Sequence, residues 1–453
     1  MARVVVVGGG FAGFAAACRL AGDGVDVALF ERAPRLGGRC ASFEHEGETL
    51  DYGQHILMSC CTAATGFLER IGAEPTVSFQ DYLSIPILCE GERTVIRSAP
   101  LPGILHLLPS LLRYRPLSFG ERLAALRAGA ALSVGRRGDA TFGAWLARHG
   151  QNERTVRRLW NPVSIAALNA PADRVSVAAA RKVFRDGFFQ PDGASIGLFT
   201  SPLGSIFDAA RKYVEARGGL AEVGAGVSRV LFDRGRAVGV ELDDGCSIDA
   251  EAVVSAVPPD ALERLAGGRP ELTHVLEAAG RLEWAPIVNV HLWLDRPALA
   301  DEFAIAVDSP VQAVFDVGKL HEKCGSTHLV LSQSAADAWV DRADAEVVDN
   351  LTTALREVLP VVRDAEIRRS LVIRHREATF VPAPGSDALR PAARTPIDGL
   401  FLAGDWTATG WPSTIEGAVR SGISAAARAE LETEPWALPG ETEDSARGVR
   451  ERE

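Results

Sequence analysis

The chain of 453 residues predicts an α/β fold: a parallel-sheet domain assembled from three separated segments, with an α+β domain of mixed sheet and helices inserted between them. Three observations predict it. The chain opens on a run of valines that meets a glycine cluster and then an Ala-rich stretch. Alternating valines return from Gly218, far down the chain. A last apolar run, Gly399 to Ala403, ends in Gly404-Asp405. The expected boundaries are 1–60, 200–265 and 390–430 for the parallel-sheet domain, and 61–199 and 266–389 for the inserted substrate domain. Residues 431–453 are Glu-rich and expected to be a disordered tail.

Taken in order, Arg3 to Val7 reads as a buried parallel strand, because its apolar run is unbroken rather than alternating. Phe11 to Ala21 reads as a helix, and Val25 to Phe30 as a second strand closed by Glu31. This is a compact βαβ unit of the Rossmann-like kind. Between Pro100 and Val134 the character changes. Leu101 to Leu112 is apolar and broken by proline, Arg113 and Arg115 follow, and Glu121 to Leu132 is helix-like. Two readings of residues 101–117 stay open: core helices lining a tunnel, or an element that dips into a membrane with its basic residues at the headgroups. From Gly218, Val223, Val227, Val230, Val238, Val240 and Leu242 alternate around turns at Asp233–Gly235 and Asp243–Gly245. Ala252 to Val257 is another buried strand, ended by Pro258-Pro259, and Ile287 to Leu294 alternates within the inserted domain.

Composition narrows the function classes. Hydrophobic residues make up 47% of the chain, which supplies a core for two cooperating domains. The formal net charge of -11 argues against nucleic acid, whose phosphates call for clustered Lys and Arg. The seven cysteines are odd in number and show no C-x-x-C spacing, so neither a disulfide framework nor a metal site is expected. Reduced thiols imply the cytoplasm. No run of about twenty apolar residues suggests a membrane span.

Three motifs carry chemistry. Gly8-Gly9-Gly10-Phe11-Ala12-Gly13 follows a strand and opens a helix. Gly8 permits the tight turn, Gly10 admits a pyrophosphate to the backbone, and Gly13 lets helix pack on strand. Glu31 lies at the spacing expected of a ribose-binding acid, with Arg32 beside it. Leu36-Gly37-Gly38-Arg39 comes next, and an NAD-dependent dehydrogenase has no use for it; Arg39 offers its fork to the pyrophosphate or to the flavin edge. Gly404-Asp405 ends the late strand, where the aspartate accepts from a ribityl hydroxyl. Downstream, Gly410 to Ala418, which includes Thr414 and Ile415, is expected to open a helix whose N-terminus favours negative charge on a reduced flavin ring. The set points to FAD as the cofactor.

These elements resemble the flavin amine oxidase and phytoene desaturase superfamily. Asp51-Tyr52-Gly53-Gln54-His55, Pro109 to Ser118, Leu159-Trp160-Asn161-Pro162, Ala166 to Pro171, Pro286 to Trp293 and Gly404 to Pro412 resemble the squalene-associated desaturase family, better named hydroxysqualene dehydroxylases. That resemblance implies FAD contacts at Gly8, Gly10, Gly13, Glu31, Arg39, Asp405 and Ile415, with the Val227 backbone at adenine. It also implies reductive loss of the hydroxyl of hydroxysqualene, giving squalene for bacterial hopanoid synthesis, at a site that meets the membrane peripherally. An external reductant is implied too, which no motif names. The alternative is an enzyme working oxidatively, a carotenoid-type desaturase or an amine oxidase. Tyr52 departs from the family pattern, which has Asn there, and bears on substrate choice. Asn289 stands roughly where amine oxidases place a flavin-facing lysine.

Candidates for the proton donor are His55, beside the flavin-proximal Gly53-Gln54, and Asp186; each reads equally as a structural residue. Phe188, Phe189, Trp293 and Trp411 are the expected walls of a dry substrate pocket.

Overall fold

The structure, a computed structural model, describes residues 4–135, 138–322 and 327–432. Five strands form a parallel sheet in the order Leu220–Val223, Val27–Glu31, Val4–Val7, Ala252–Ser255, Leu400–Leu402. Val5 pairs with Ala28 on one side and with Val253 on the other. The central strand is buried throughout, as its unbroken valines require. The helix Phe11–Gly22 covers one face and packs against the last helix, Ile415–Glu432. Their contact is close because Gly422 has no side chain: a Cβ there would lie 2.1 Å from the Ala12 carbonyl oxygen. Gly13 serves the turn below in the same way, since its Cβ would meet the Gly8 oxygen at 1.8 Å.

A second, seven-stranded sheet runs Ile367–Phe380, Trp284–Leu294, Thr327–Ser334, Ala313–Asp316, Phe303–Ala306, Ser84–Cys89, Glu92–Arg97. It is mixed, because Phe303–Ala306 pairs with Ser84–Cys89 in parallel while its other pairings are antiparallel. The helix Asp344–Val358 lies against this sheet. The helix Phe119–Val134, packed on Leu108–Leu112, starts at a capping box. There the Ser118 hydroxyl accepts from the Glu121 N–H and the Glu121 carboxylate accepts from the Ser118 N–H. The valine alternation after Gly218 becomes a small antiparallel sheet, Val227–Asp233, Arg236–Leu242, Ser247–Asp249.

Some expected elements differ. The strand from Ala252 stops at Ser255, and Pro258 caps a helix, Pro259–Ala266, whose first position suits proline. The apolar run after Leu101 is a 3-10 turn, Gly103–Leu107, and one short helix, Leu108–Leu112. Of the expected tail, Leu431 and Glu432 end the last helix, and residues 433–453 lie outside the described residues. Among the described residues no helix is long and apolar enough to cross a membrane.

Candidate active site

A cavity of about 1640 Å³ begins at the glycine turn and runs through the molecule into the second sheet. Its first end lies over the parallel sheet. Gly8 holds φ +109°, which makes the turn; Gly10 then caps the helix with no side-chain partner, leaving the first helical N–H groups of Phe11 and Ala12 facing the cavity. A Cβ on Gly10 would meet only the Gly37 oxygen, at 3.9 Å, so the space in front of this backbone is a cradle. Glu31 stands beside it, accepting from the Gly9 N–H at 2.7 Å and the Ala33 N–H at 2.8 Å, one bond to each oxygen. A carboxylate with two further acceptor sites free suits ribose hydroxyls. Arg32 and Val227 complete this end.

The middle of the cavity joins the early and late segments. Gly38 and Arg39 come from the loop after Glu31, and Gly404, Asp405, Thr414 and Ile415 from the last strand and helix. Arg39 pairs with Asp405 through Nη2 and donates to the Ala378 oxygen at 2.6 Å through Nη1. The Ser413 hydroxyl donates to the other Asp405 oxygen. Burial pushes the Asp405 carboxyl upward, but Arg39 and the Ser413 hydrogen bond outweigh it and hold the group below its ordinary value. The helix Ile415–Glu432 is fixed by buried Glu416, whose carboxylate takes the Ala63 and Ala64 N–H groups at 3.2 and 2.8 Å. This donor set, with a glycine cradle at one end and a helix N-terminus at the other, fits FAD.

Gln54 and His55 line the next stretch. The Nδ1–H of His55 donates to the Gly53 oxygen at 3.0 Å, because a carbonyl only accepts; Nε2 then faces the Cys40 thiol at 3.4 Å. Burial pushes the imidazole pKa down. A neutral ring whose one N–H is already given away is poorly placed to protonate a leaving group, so the structural reading is the one this geometry favours. Asp186 is a correction. It does not line the cavity but pairs with Lys182 at 2.8 Å and Arg185 at 2.8 Å. Burial pushes its carboxyl up, the Arg185 and Lys182 hydrogen bonds more than reverse that, and the group stays ionised with no proton to give. What it does is hold Lys182, whose Nζ lies 4.2 Å from the centre of the Trp411 ring.

Phe188, Phe189 and Trp411 line the far part of the cavity with Ile104, Leu107 and Leu111. His106, fully buried, donates from Nε2 to the Phe188 oxygen at 2.8 Å and accepts at Nδ1 from the Ser98 hydroxyl at 2.9 Å, which ties the 103–107 turn to the wall. Trp293 is a second correction. It shares its strand face with Asn289 but lies four residues further on, beyond the cavity, sandwiched between His328 (centroids 4.2 Å apart) and the Arg369 guanidinium at 3.5 Å. Tyr52 is not a lining residue either: its ring packs on Phe43 and His375. Trp406 is both, a cavity residue and a core one, with Nε1 donating to the Val257 oxygen at 3.1 Å. Sequence reasoning missed His375 and Lys182, which also line the cavity. His375 faces it by strand alternation with Asn289, a signal that needs the strand pairing to be read.

The family described as flavin containing amine oxidoreductase matches residues 11–429. Among curated relatives, the hydroxysqualene dehydroxylase of Sinorhizobium fredii is 29% identical over 445 residues, 95% of this chain and 99% of that protein. The 15-cis-phytoene desaturase of Solanum lycopersicum is 22% identical and shares 93% of this chain and 76% of that one. Among solved structures, an oxidoreductase from Methanosarcina mazei superposes with a TM-score of 0.74 at 21% identity, covering 93% of this chain and 99% of its own. With a glycine cradle, a late Gly-Asp turn and a helix N-terminus on one cavity, and a family match over nearly the whole described chain, the protein belongs to the flavin containing amine oxidoreductase family and is an FAD-dependent oxidoreductase.

Proposed function

We propose that the protein removes the hydroxyl of hydroxysqualene reductively, giving squalene; a relative bearing the name hydroxysqualene dehydroxylase supports the substrate. The observation that carries the reading is the continuity of the cavity: the cradle for FAD opens without a break into a chamber walled by Phe188, Phe189, Leu107 and Leu111. Gly8, Gly10, Gly13, Phe11 and Ala12 would hold the pyrophosphate, and Glu31, Arg32 and Val227 the adenosine. Gly38, Arg39, Gln54, Gly404, Asp405, Thr414 and Ile415 would hold the flavin and ribityl end. Reduced FAD, when bound, supplies hydride.

The protein's own part is positioning and shielding. Hydroxide leaves poorly, so the C–O bond breaks only with proton assistance, and the allylic cation so formed reacts with any water present. Phe188, Phe189 and Trp411 exclude that water, and the ring faces of the two phenylalanines stabilise passing positive charge. His55 anchors the Gly53 turn. Purified protein incubated anaerobically with hydroxysqualene and reduced FAD is expected to yield squalene. If only oxidised FAD with phytoene turns over, giving a desaturated product, the oxidative reading that the phytoene desaturase relative favours takes its place.

The substrate's insolubility accounts for a further feature. Leu105 and Leu112 are exposed at 49 and 42% on the elements whose inner side chains, Leu107 and Leu111, line the cavity, and Phe119, exposed at 70%, begins the next helix. Arg113 and Arg115 are exposed beside them. In this reading residues 101–123 rest on the bilayer and the cavity takes its substrate there, a peripheral contact without a spanning helix.

A further inference from the structure

Among the described residues, the cavity wall carries two buried side-chain polar atoms that the fold leaves without a partner. Asn289, in strand Trp284–Leu294, is 2% exposed. Its Nδ2 donates to the Tyr52 oxygen at 3.1 Å, which turns Oδ1 into the buried, unpartnered end of the amide. His375, in strand Ile367–Phe380, has a buried and unpartnered Nε2. The register sets Ile287 opposite His375 and Asn289 opposite Ile373, so Asn289 and His375 are diagonal neighbours on one sheet face, and both line the cavity. Side chains so related start about 7 Å apart, a gap that one oxygen spans with two hydrogen bonds of about 2.8 Å.

Neighbouring packing holds the pair in place. A Cβ on Gly53 would come within 2.5 Å of the Asn289 Nδ2, so the amide rests directly on that backbone. The Tyr52 ring meets His375 edge-on, 5.2 Å between centroids at 64°. Tyr52, the departure from the family pattern, thus supports both residues, one with its carbonyl and one with its ring. Two neighbouring polar groups are engaged elsewhere: His55 with Gly53 and Cys40, and the Thr379 hydroxyl with the Asn169 amide at 2.9 Å. Buried polar atoms are rarely left unpaired unless a ligand or water completes them.

We propose that Asn289 Oδ1 and His375 Nε2 form a hydroxyl-binding subsite that seats the alcohol group of an otherwise apolar substrate. This rests on the dehydroxylase reading and adds to it the point at which the hydroxyl is held. An alcohol offers one O–H donor and two acceptor lone pairs. It donates to Oδ1 of Asn289 and accepts from His375, whose ring carries its proton on Nε2. The burial that pushes the His375 pKa down keeps that ring neutral, with His55 and Arg39 nearby acting in the same direction. A hydrocarbon of the same shape makes neither bond.

The test is binding rather than turnover. Oxidised holoenzyme is titrated with hydroxysqualene and squalene, and with farnesol and farnesene, following the flavin absorbance. Asn289→Leu and His375→Phe should each shift the ratio of dissociation constants toward the hydrocarbon by about 5-fold, the value of one neutral hydrogen bond. His375→Gln, which keeps a donor, should retain most of the parent ratio. Full flavin content shows that a variant is folded, and if Asn289→Leu loses flavin, His375→Phe decides. A parent-like ratio in His375→Phe, or no binding of either alcohol to the parent, overturns the subsite. Failure of the dehydroxylase reading shows differently, as an intact alcohol discrimination with no squalene formed from hydroxysqualene.

Discussion

At the scale of single residues, the glycines of the first turn separate by what lies in front of them. Gly10 has φ -89° and open space where a side chain would go, whereas Gly13 faces the Gly8 oxygen at 1.8 Å. The Gly10→Val variant should therefore fold with a Tm close to that of flavin-free parent, yet purify colourless, because its side chain fills the cradle. Gly13→Ala should instead lower the Tm by several degrees, since backbone must move. Absorbance at the flavin bands and a thermal melt distinguish the two; a yellow Gly10→Val protein would contradict the cradle. These roles are legible in the sequence, because a turn, a close approach and a helix start are local demands. The roles of His55 and Asp186 are not. Whether an imidazole or carboxylate can give up a proton depends on partners such as Gly53, Cys40, Lys182 and Arg185, whose side-chain geometry only the folded chain sets.

At the scale of elements, the segment 101–134 shows how one apolar run divides into two surfaces. The sequence registers only that Leu101 to Leu112 is apolar. In the fold, Leu107 and Leu111 turn to the cavity while Leu105 and Leu112 turn outward, and Phe119 and Leu123 continue the outer face along the next helix. Changing Leu107 or Leu111 would alter the pocket itself, so the informative variant is Leu105→Ser/Leu112→Ser/Phe119→Ser. It should float with anionic liposomes at least about 10-fold less than the parent while keeping its flavin, since full transfer of even one such side chain into the bilayer contributes about 1.5–3 kcal/mol. Equal flotation of parent and variant would refute the membrane contact. The mixed sheet was less legible than the parallel one: its long strand Ile367–Phe380 carries the polar run His375, Arg376 and Glu377 and shows no clean alternation, because one face lines a cavity and its flank is wet.

At the scale of the whole molecule, burial of histidine makes stability depend on pH. His291 is 1% exposed and hydrogen-bonded to His328 at 2.9 Å; burial, with His45 and Arg369 nearby, pushes its pKa down to about 4 from the ordinary 6.5. His55, His106 and His375 are shifted in the same direction, burial being the largest cause in each. Such a group is neutral in both states above about pH 6.5, so the stability there is undiminished. As pH falls below that, the unfolded chain takes up the proton first and stability is lost, until the folded form also titrates, which for His291 is near 4. For His291 alone the loss is at most about 3 kcal/mol over this window. Urea unfolding should give a lower midpoint at pH 5 than at pH 7.5, and His291→Gln should flatten the slope between them. A midpoint that rises on acidification would contradict the buried neutral histidines.

The sequence by itself determined the parallel sheet, its glycine turn, the family and the FAD chemistry, because each rests on short spans whose backbone geometry, burial or spacing is a local property. The valines of Val4–Val7 read as a buried strand, and a G-x-G-x-x-G between a strand and a helix, with Glu31 behind it, points to a dinucleotide. Tertiary structure decided everything that depends on two distant segments meeting. It joined Arg39 to Asp405 across 366 positions, moved Trp293 and Asp186 off the cavity, and set Asn289 beside His375 on one wall. Strand register and helix packing are long-range choices, fixed by how the whole core closes, and no window of residues contains them.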